Sequence, residues 1–157
     1  MRTILVLGAG RSTQSLIDYL LHHAESENWH LTLADQNLVW AEQKLRGHHR
    51  GTTIALNAGD REARRALIAG KFITVSMLPA FMHPEVASDC LDLGVHLATA
   101  SYQSEALANM SEAAKQKGLI FLNEIGVDPG IDHLSAMKLL DEVRGQGAEL
   151  LGFESFT

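Results

Sequence analysis

The sequence predicts an α/β protein with a doubly wound, mostly parallel sheet and helices on both faces. Short apolar runs alternate strictly with longer amphipathic segments, as expected for repeated strand–helix units. The apolar runs are continuous rather than alternating, which is typical of strands buried on both faces. About six such units in one chain match the dinucleotide-binding fold of the Rossmann type.

Each element has its own signal. The strands are the short apolar, branched runs 2–8, 29–35, 52–58, 72–79, 95–100 and 119–125. The helices show apolar residues three or four positions apart and span 12–24, 38–47, 61–71, 83–94, 103–118 and 131–147. Glycine or proline residues lie at several of these boundaries, where helices and strands commonly begin or end. The last ten residues, "AELLGFESFT", read as one more strand that lacks a partner, so we expect a second domain to follow.

Composition excludes several classes of function. The net charge is −6 and no Lys/Arg-rich run is present, which argues against nucleic acid and anionic membranes as partners. The apolar runs are too short to span a bilayer, and the N-terminus does not resemble a signal peptide. The single cysteine, Cys90, cannot form an internal disulfide, which fits a cytoplasmic protein. We interpret Cys90 as a buried, inert thiol.

The first strand–helix turn, "VLGAGRSTQSL", is the candidate pyrophosphate site. Gly8 permits the tight turn, and Gly10 lets the backbone approach the phosphates at a helix N-terminus. The third glycine of the fingerprint is replaced by Thr13. Arg11 and Ser12 add a charge and a hydroxyl toward the pyrophosphate.

Asp35 ends the second strand, where an acidic residue accepts hydrogen bonds from the adenine-side ribose. It would repel a 2′-phosphate, so it favours NAD over NADP. The alternative is that Asp35 is the N-cap of the helix 38–47. Asp60 is placed to cap the next helix, with an adenine contact as a secondary possibility.

Polar residues also follow the later strands, whose carboxyl ends are where open α/β sheets bind ligands. Pro79 fixes the chain after the fourth strand. Ser101 is either a ligand contact or a helix N-cap, and Tyr102 is either a ligand contact or a surface aromatic.

An acidic turn, "NEIGVDPGIDH", follows the sixth strand. Asp128 precedes a proline and is held extended, which suits a side chain aimed into a cleft. Asp132 is predicted to be a helix N-cap or a first-turn acid. His133 is either a candidate base or a structural histidine. The Glu124 side chain points either to the core or to the cleft.

Four segments together resemble the glutamate-forming saccharopine dehydrogenases: "VLGAGR", "SMLPAFMHPEV", "ATASYQSEAL" and "NEIGVDPGIDHLSAMKLLDEV". The resemblance covers nearly the whole chain. It implies a Rossmann domain plus a larger domain for substrate binding and dimerisation. It also implies oxidation of the secondary amine of saccharopine with a nicotinamide cofactor. Hydrolysis of the imine then gives glutamate and 2-aminoadipate 6-semialdehyde, a step in lysine metabolism.

The resemblance also assigns residues and a domain boundary. It implies pyrophosphate contacts from Gly8, Gly10, Arg11 and Ser12, a cofactor ribose wall of Met77, Leu78 and Pro79, nicotinamide contacts from Ile125, Gly126 and Val127, and substrate contacts from Ser101, Tyr102 and Asp128. It divides the chain into a dinucleotide-binding domain, 1–148, and the first strand of a missing substrate and dimerisation domain, 149–157. The full-length protein is expected to be a homodimer.

Two questions stay open at the level of sequence. Many members of the family resemble NADP users with serine or arginine after the second strand, whereas this chain has Asp35 and Gln36, so we predict NAD with NADP as the alternative. The catalytic base is unassigned; the candidates are Asp128 and His133, with Asp132 nearby.

Other functions compete with this interpretation. One is another amine dehydrogenase of the same superfamily, such as a lysine 6-dehydrogenase or a polyamine synthase. Another is a non-catalytic NAD sensor. The adjacent histidines at 22–23 and 48–49 lack metal-ligand spacing, so no metal site is predicted.

Overall fold

The computed structural model describes residues 1–156 and forms a six-stranded sheet in the order β3-β2-β1-β4-β5-β6. All five strand pairings are parallel, which confirms the predicted doubly wound sheet. The strands are β1 (Arg2–Leu7), β2 (Trp29–Asp35), β3 (Gly51–Ala55), β4 (Ile73–Ser76), β5 (His96–Thr99) and β6 (Phe121–Leu122).

Within residues 1–156, seven α-helices connect and follow the strands. They are α1 (Gln14–His22), α2 (Leu38–Leu45), α3 (Arg61–Ile68), α4 (His83–Leu93), α5 (Glu105–Ala108), α6 (Ser111–Gln116) and α7 (Ile131–Gly145). Short 3₁₀ turns precede α1 and α4, at Arg11–Thr13 and Ala80–Met82. Within residues 1–156, no helix is both long and apolar enough to cross a membrane.

The single helix predicted over 103–118 is wrong, because the structure has two short helices there. The Met110 N–H bonds to the Leu107 carbonyl at 3.1 Å, a spacing of three residues that tightens the backbone between α5 and α6. Leu107 is buried in the core, and Met110 packs against the same cluster. The tighter turn thus keeps both apolar side chains on the core.

The core lies on both faces of the sheet, as predicted. Ile4 and Val6 of β1 pack with α1 and α2, whereas Leu5 and Leu7 pack with α3, α4 and α5. Cys90 is fully buried in the cluster that contains Leu5 and Leu7, and burial raises the pKa of its thiol to about 12. The predicted burial of Cys90 is confirmed, and its inertness stays a prediction that the raised pKa supports.

The carboxyl-terminal third departs most from the prediction. The strand predicted over 119–125 is reduced to β6 because Glu124 adopts a left-handed conformation with φ 63° and turns the chain away. Residues 148–156 pair with no strand of this sheet, and Thr157 lies outside the described residues. Because the predicted strand was expected to lack a partner in this chain, it stays a prediction. The division into domains at 148 and 149 stays a prediction.

Candidate active site

The candidate site lies along the carboxyl edge of the sheet, where the loops after β1, β2, β4, β5 and β6 meet. β1 and β4 are neighbours, yet the helices that follow them, α1 and α4, lie on opposite faces. The chain therefore leaves this edge in opposite directions and opens a crevice between the two strands. The loops of β1 and β2 lie on one side of the crevice, and those of β5 and β6 lie beyond β4 on the other.

The glycine turn after β1 is built tightly against β4. Gly8 has φ 102°, and a Cβ at this position would lie 2.9 Å from the Met77 carbonyl oxygen. Gly10 is different: a Cβ there would meet no heavy atom within 4 Å. Thr13, in the place of the third glycine, is buried, and its hydroxyl donates to the Gly10 carbonyl at 2.8 Å. The turn is thus closed from within and leaves open space beside Gly10.

Arg11 and Ser12 are exposed at the mouth of this turn. Arg11 borders an open cleft of about 320 Å³ together with Trp40 and Lys44 of α2. Lys44 was missed at the sequence level, because a lysine on an exposed helical face has no distinguishing signal. The structure places a second cation on the same cleft as Arg11.

Asp35 is not the N-cap of α2. Asn37 fills that position, and its side chain accepts a hydrogen bond from the Trp40 N–H at 3.3 Å. Asp35 accepts instead from the N–H of Ala9 at 2.5 Å and from the N–H of Asn37 at 2.7 Å. The carboxylate thus ties the glycine turn to the end of β2.

The cap predicted at Asp60 is confirmed, since its carboxylate accepts from the Ala63 N–H at 3.1 Å. This cap begins α3 directly after the loop that follows β3. That loop forms one wall of the next cleft.

A cleft of about 390 Å³ joins the ends of β1, β2, β3 and β4. Asp35, Leu78 and Pro79 all line it, so the structure brings together three residues predicted to contact the cofactor. The loop after β3 and the turn at Phe81 and Met82 complete the walls; neither was predicted. Met77 lies apart: its side chain packs against the core cluster of α1 and α2, and its carbonyl oxygen faces Gly8.

Ser101 is not a helix N-cap either. That role belongs to Ser104, whose hydroxyl accepts from the Leu107 N–H at 3.3 Å. The Ser101 hydroxyl instead contacts Nε2 of His83 at 2.8 Å. His83 was missed because a histidine before a proline at a helix start carries only the signal of that helix start.

Tyr102 and Asp128 come from different loops, those that follow β5 and β6, and their side chains meet at the carboxyl edge of the sheet. The Tyr102 hydroxyl donates to Oδ1 of Asp128 at 2.7 Å. This hydrogen bond raises the pKa of the Tyr102 hydroxyl, so the phenol stays protonated at neutral pH. Tyr102 is therefore exposed but paired, and it is not an isolated surface aromatic.

Glu124 makes a second bridge between the loops after β5 and β6. Its carboxylate accepts from the Gln103 N–H at 3.0 Å, and its own N–H donates to the Ser101 carbonyl at 3.1 Å. Glu124 is exposed and lines the cleft that runs along residues 124–134, so of the two alternatives the structure favours the cleft over the core. Together with the Tyr102–Asp128 hydrogen bond, Glu124 fixes one loop against the other.

The turn from 125 to 130 is closed by its own backbone. The Gly126 N–H donates to the Pro129 carbonyl at 2.8 Å, and the Ile131 N–H donates to the Gly126 carbonyl at 3.0 Å. Gly130 has φ 146°, and a Cβ there would lie 2.2 Å from the Gly126 carbonyl oxygen. Ile125 and Val127 stay exposed beside this turn. A cleft of about 350 Å³ runs from Ile125 and Gly126 to His133.

Asp132 and His133 form an adjacent acid–imidazole pair. Gly130 occupies the N-cap position of α7, so Asp132 is a first-turn acid and the N-cap alternative is wrong. Nδ1 of His133 lies 2.8 Å from Oδ1 of Asp132, which also accepts from the Gly130 N–H at 2.8 Å.

Each partner of this pair shifts the pKa of the other. The hydrogen bond to Asp132 raises the pKa of His133, and the charges of Asp128 and Glu124 add to the effect. Burial opposes ionisation of Asp132, but the hydrogen bonds from His133 and Gly130 lower its pKa. His133 is an exposed imidazole with Nε2 available, which differs from a buried structural histidine.

Among residues 1–156, no three His, Cys, Asp or Glu side chains are grouped to hold a metal ion. The rings of the adjacent histidines pack on each other, His22 with His23 and His48 with His49.

Comparisons with known proteins agree with this geometry. Residues 4–122 match the family described as "Saccharopine dehydrogenase NADP binding domain". The chain is 35% identical over 156 residues to a glutamate-forming, NADP-dependent saccharopine dehydrogenase of Schizosaccharomyces pombe. That match covers 99% of this chain and 34% of the yeast protein. A mitochondrial alpha-aminoadipic semialdehyde synthase of Rattus norvegicus is 29% identical, with 16% of its length covered. The chain thus spans about a third, or less, of these relatives.

A solved structure shows the same fold. Apo saccharopine dehydrogenase (L-Glu forming) from Saccharomyces cerevisiae superimposes with a TM-score of 0.81 and 31% identity, over 94% of this chain and 32% of that one. The WlbA dehydrogenase of Chromobacterium violaceum, at 14% identity and a TM-score of 0.63, shares the fold alone. By sequence and by structure, the chain belongs to the saccharopine dehydrogenase NADP-binding domain family.

Proposed function

We propose that this chain is the nicotinamide-cofactor-binding part of a saccharopine dehydrogenase, which oxidises saccharopine to glutamate and 2-aminoadipate 6-semialdehyde. The observation that carries the proposal is the Tyr102–Asp128 hydrogen bond of 2.7 Å at the carboxyl ends of β5 and β6. It places a proton donor and a carboxylate on the opposite side of β4 from the glycine turn. A pure nucleotide sensor has no need for such a pair at the substrate end.

The glycine turn fits the phosphates of a dinucleotide. Open space beside Gly10 and exposed Arg11 and Ser12 lie at the start of the 3₁₀ turn that leads into α1. Backbone N–H groups at such a turn bind anions, and Arg11 adds a charge-assisted contact. The adenosine would lie in the cleft of Asp35, Leu78 and Pro79, and the nicotinamide along Ile125 to Val127. When bound, the cofactor accepts a hydride.

The side chains after β5 and β6 supply the proton chemistry. Oxidation of the secondary amine removes a hydride from carbon and a proton from nitrogen, and it leaves a C=N bond that water hydrolyses. The Asp128 carboxylate takes the amine proton, with the Tyr102 hydroxyl donating a hydrogen bond to it. His133, oriented by Asp132 through Nδ1, presents Nε2 for the later transfer of a proton from water.

The cofactor preference follows from Asp35, which favours NAD through the ribose. Arg11 and Lys44 on the adjoining cleft supply positive charge that allows NADP as a second cofactor. Calorimetric titration of the chain with NADH and NADPH measures both affinities. Absence of binding for either at millimolar concentration would contradict the cofactor role.

Asp128→Asn in the full-length protein tests the proposed reaction. The amide cannot take the amine proton, so kcat on saccharopine should fall about 100-fold or more, with NADH affinity unchanged. Asp141→Asn, on the exposed surface of α7, is the matched control and should keep wild-type activity. A substrate panel that includes lysine and polyamines separates saccharopine oxidation from the activity of another amine dehydrogenase.

We further propose that the full-length protein is a cytoplasmic homodimer. The one cysteine, reduced and buried, supports a reducing compartment. Sedimentation of the full-length protein and its localisation by microscopy test the two statements separately.

A further inference from the structure

We infer that His83 is a positioning residue, which holds the Ser101 hydroxyl in one orientation at the substrate end of the cleft. The inference rests on the proposed function, because the proposed reaction is what gives the Ser101 hydroxyl a substrate to contact. Neither nitrogen of the ring contacts the cleft directly, so His83 acts only through its neighbours.

The ring lies between the ends of β4 and β5. His83 is the first residue of α4, and only 1% of it is exposed. Nδ1 lies 2.9 Å from the hydroxyl of Ser76, the last residue of β4. Nε2 lies 2.8 Å from the Ser101 hydroxyl and 3.1 Å from that of Thr99, the last residue of β5. Both nitrogens are thus paired with hydroxyl groups.

A neutral ring gives these contacts a fixed direction. Burial lowers the pKa of His83, and its hydrogen-bond partners are uncharged, so the imidazole is neutral at pH 7. A neutral imidazole donates from one nitrogen and accepts at the other. A serine hydroxyl otherwise rotates freely, but the contact with Nε2 engages either its proton or one of its lone pairs and so restricts that rotation.

The backbone of Ser101 is held as firmly as its side chain. Its N–H donates to the Thr99 hydroxyl at 3.3 Å, and its carbonyl accepts from the Glu124 N–H at 3.1 Å. Ser101 is half-buried, between the fully buried ring and the exposed Tyr102. The ring therefore also connects the loop of Ser101 with Ser76, two residues before Leu78 and Pro79, which line the Asp35 cleft.

Two substitutions of His83 separate positioning from simple packing. A glutamine amide reaches the place of Nε2 and can still contact Ser101, whereas an asparagine amide stops near Nδ1 and reaches only Ser76. In the full-length enzyme, we expect His83→Asn to lower kcat/KM for saccharopine about 10- to 100-fold, and His83→Gln to recover most of it. The Kd of NADH should stay within about twofold in both.

Ser101→Ala completes a double-mutant cycle. If the ring acts through Ser101, the variant carrying both Ser101→Ala and His83→Asn is no worse than the worse single variant. Losses that simply add would overturn the inference. Equal losses in His83→Asn and His83→Gln that follow their melting temperatures would also overturn it, because they indicate a packing role.

A measurement without substrate keeps this inference separate from the proposed activity. In ¹⁵N-histidine NMR spectra of this chain, His83 should show one neutral tautomer at pH 7 and take up a proton at a lower pH than the exposed His133. Its Nε2 resonance should shift in Ser101→Ala, whereas the exposed His133 resonance should not. An unchanged Nε2 resonance would overturn the role of His83 whatever the substrate is. A full-length protein inactive on saccharopine, with the shift present, would instead count against the proposed function alone.

Discussion

At the scale of single residues, Gly8 and Gly10 show that two glycines of one turn have separate functions. Gly8 is required by folding, since its φ of 102° and the Met77 carbonyl leave no room for a side chain. Gly10 has an ordinary φ of −63° and open space around it, so folding does not require glycine there. Under the proposed function, close approach of the cofactor explains a residue without a side chain at this position.

Gly8→Ala and Gly10→Ala should therefore change different properties: the first the stability of the fold, the second the affinity for the cofactor. We expect Gly8→Ala to lower the free energy of unfolding by about 1–3 kcal/mol, because it combines a strained φ with a steric clash. Gly10→Ala should keep wild-type stability and lose at least about tenfold in NADH affinity. Urea denaturation and calorimetry measure the two effects; a stable Gly8→Ala or a tightly binding Gly10→Ala would contradict this division.

Asp35 has a structural function, and under the proposed function it also contacts the cofactor. Its carboxylate accepts hydrogen bonds from the N–H groups of Ala9 and Asn37, which face the glycine turn and the α2 cap. Asp35→Ser should weaken NADH binding by roughly tenfold and shift the NADH/NADPH ratio of affinities toward NADPH, since a repulsive charge is removed.

Asp35→Asn is the matched control for Asp35→Ser. It keeps an oxygen for one N–H but removes the charge, so it should shift the ratio while disturbing the turn less. Calorimetric titration of both variants with the two cofactors gives the ratio. An NADH/NADPH ratio equal to that of the wild type in both would refute the assignment of Asp35 to cofactor choice.

At the scale of elements, α3 and α4 are joined by a buried ion pair. Nε of Arg64 donates to Oδ2 of Asp89 at 2.7 Å, and both side chains are 1% exposed. Nη1 of Arg64 also donates to the Ala58 carbonyl at 2.5 Å. Ala58 belongs to the loop that lines the Asp35 cleft. The ion pair therefore connects helix packing with the shape of the cofactor site.

Asp89→Asn should lower the free energy of unfolding by about 3–5 kcal/mol, because it removes the buried carboxylate beside Arg64 and leaves only the exposed Glu85 as its charged partner. Asp92→Asn, which removes an exposed partner of Arg65, is the control and should cost less than about 1 kcal/mol. Chemical denaturation measures both. Similar losses of unfolding free energy in the two variants would show that the buried Arg64–Asp89 pair stabilises the fold no more than an exposed ion pair does.

At the scale of the whole molecule, histidines connect stability with pH. Burial lowers the pKa of His83, and burial with the nearby charges of Arg50 and Lys71 lowers that of His30. The unfolded chain therefore binds these protons at a higher pH than the folded one, and stability falls as the pH decreases below about 6.5. His133 acts in the other direction: its raised pKa adds stability below about 6.5, which is lost as pH rises through the folded value.

His83→Gln should therefore flatten the decrease in stability between pH 6.5 and 5. Its proton uptake on unfolding should be smaller by up to about one proton. His133→Gln should instead change the slope above about pH 6.5, where the contribution of His133 is lost, and thus serves as the opposite control. Urea denaturation from about pH 5 to 8 measures the slopes. A His83→Gln slope equal to that of the wild type would show that the ring binds its proton equally well in the folded and the unfolded chain.

The sequence by itself determined the sheet, its parallel direction and its two covered faces, because periodicity and glycine positions are local signals. It also placed the glycine turn, Asp35, Pro79, Tyr102 and Asp128 at the correct edge, since strand ends follow from the strands.

The tertiary structure decided what these side chains contact. Asp35 and Ser101 turned out not to be helix caps, because Asn37 and Ser104 stand closer to the helix starts. The His83 ring lies buried between the ends of β4 and β5, and the Tyr102 hydroxyl bonds to Asp128, 26 residues along the chain. Such contacts depend on where separate strands end relative to one another. The relative positions of the strand ends are set by sheet order and register, which no local pattern of residues contains.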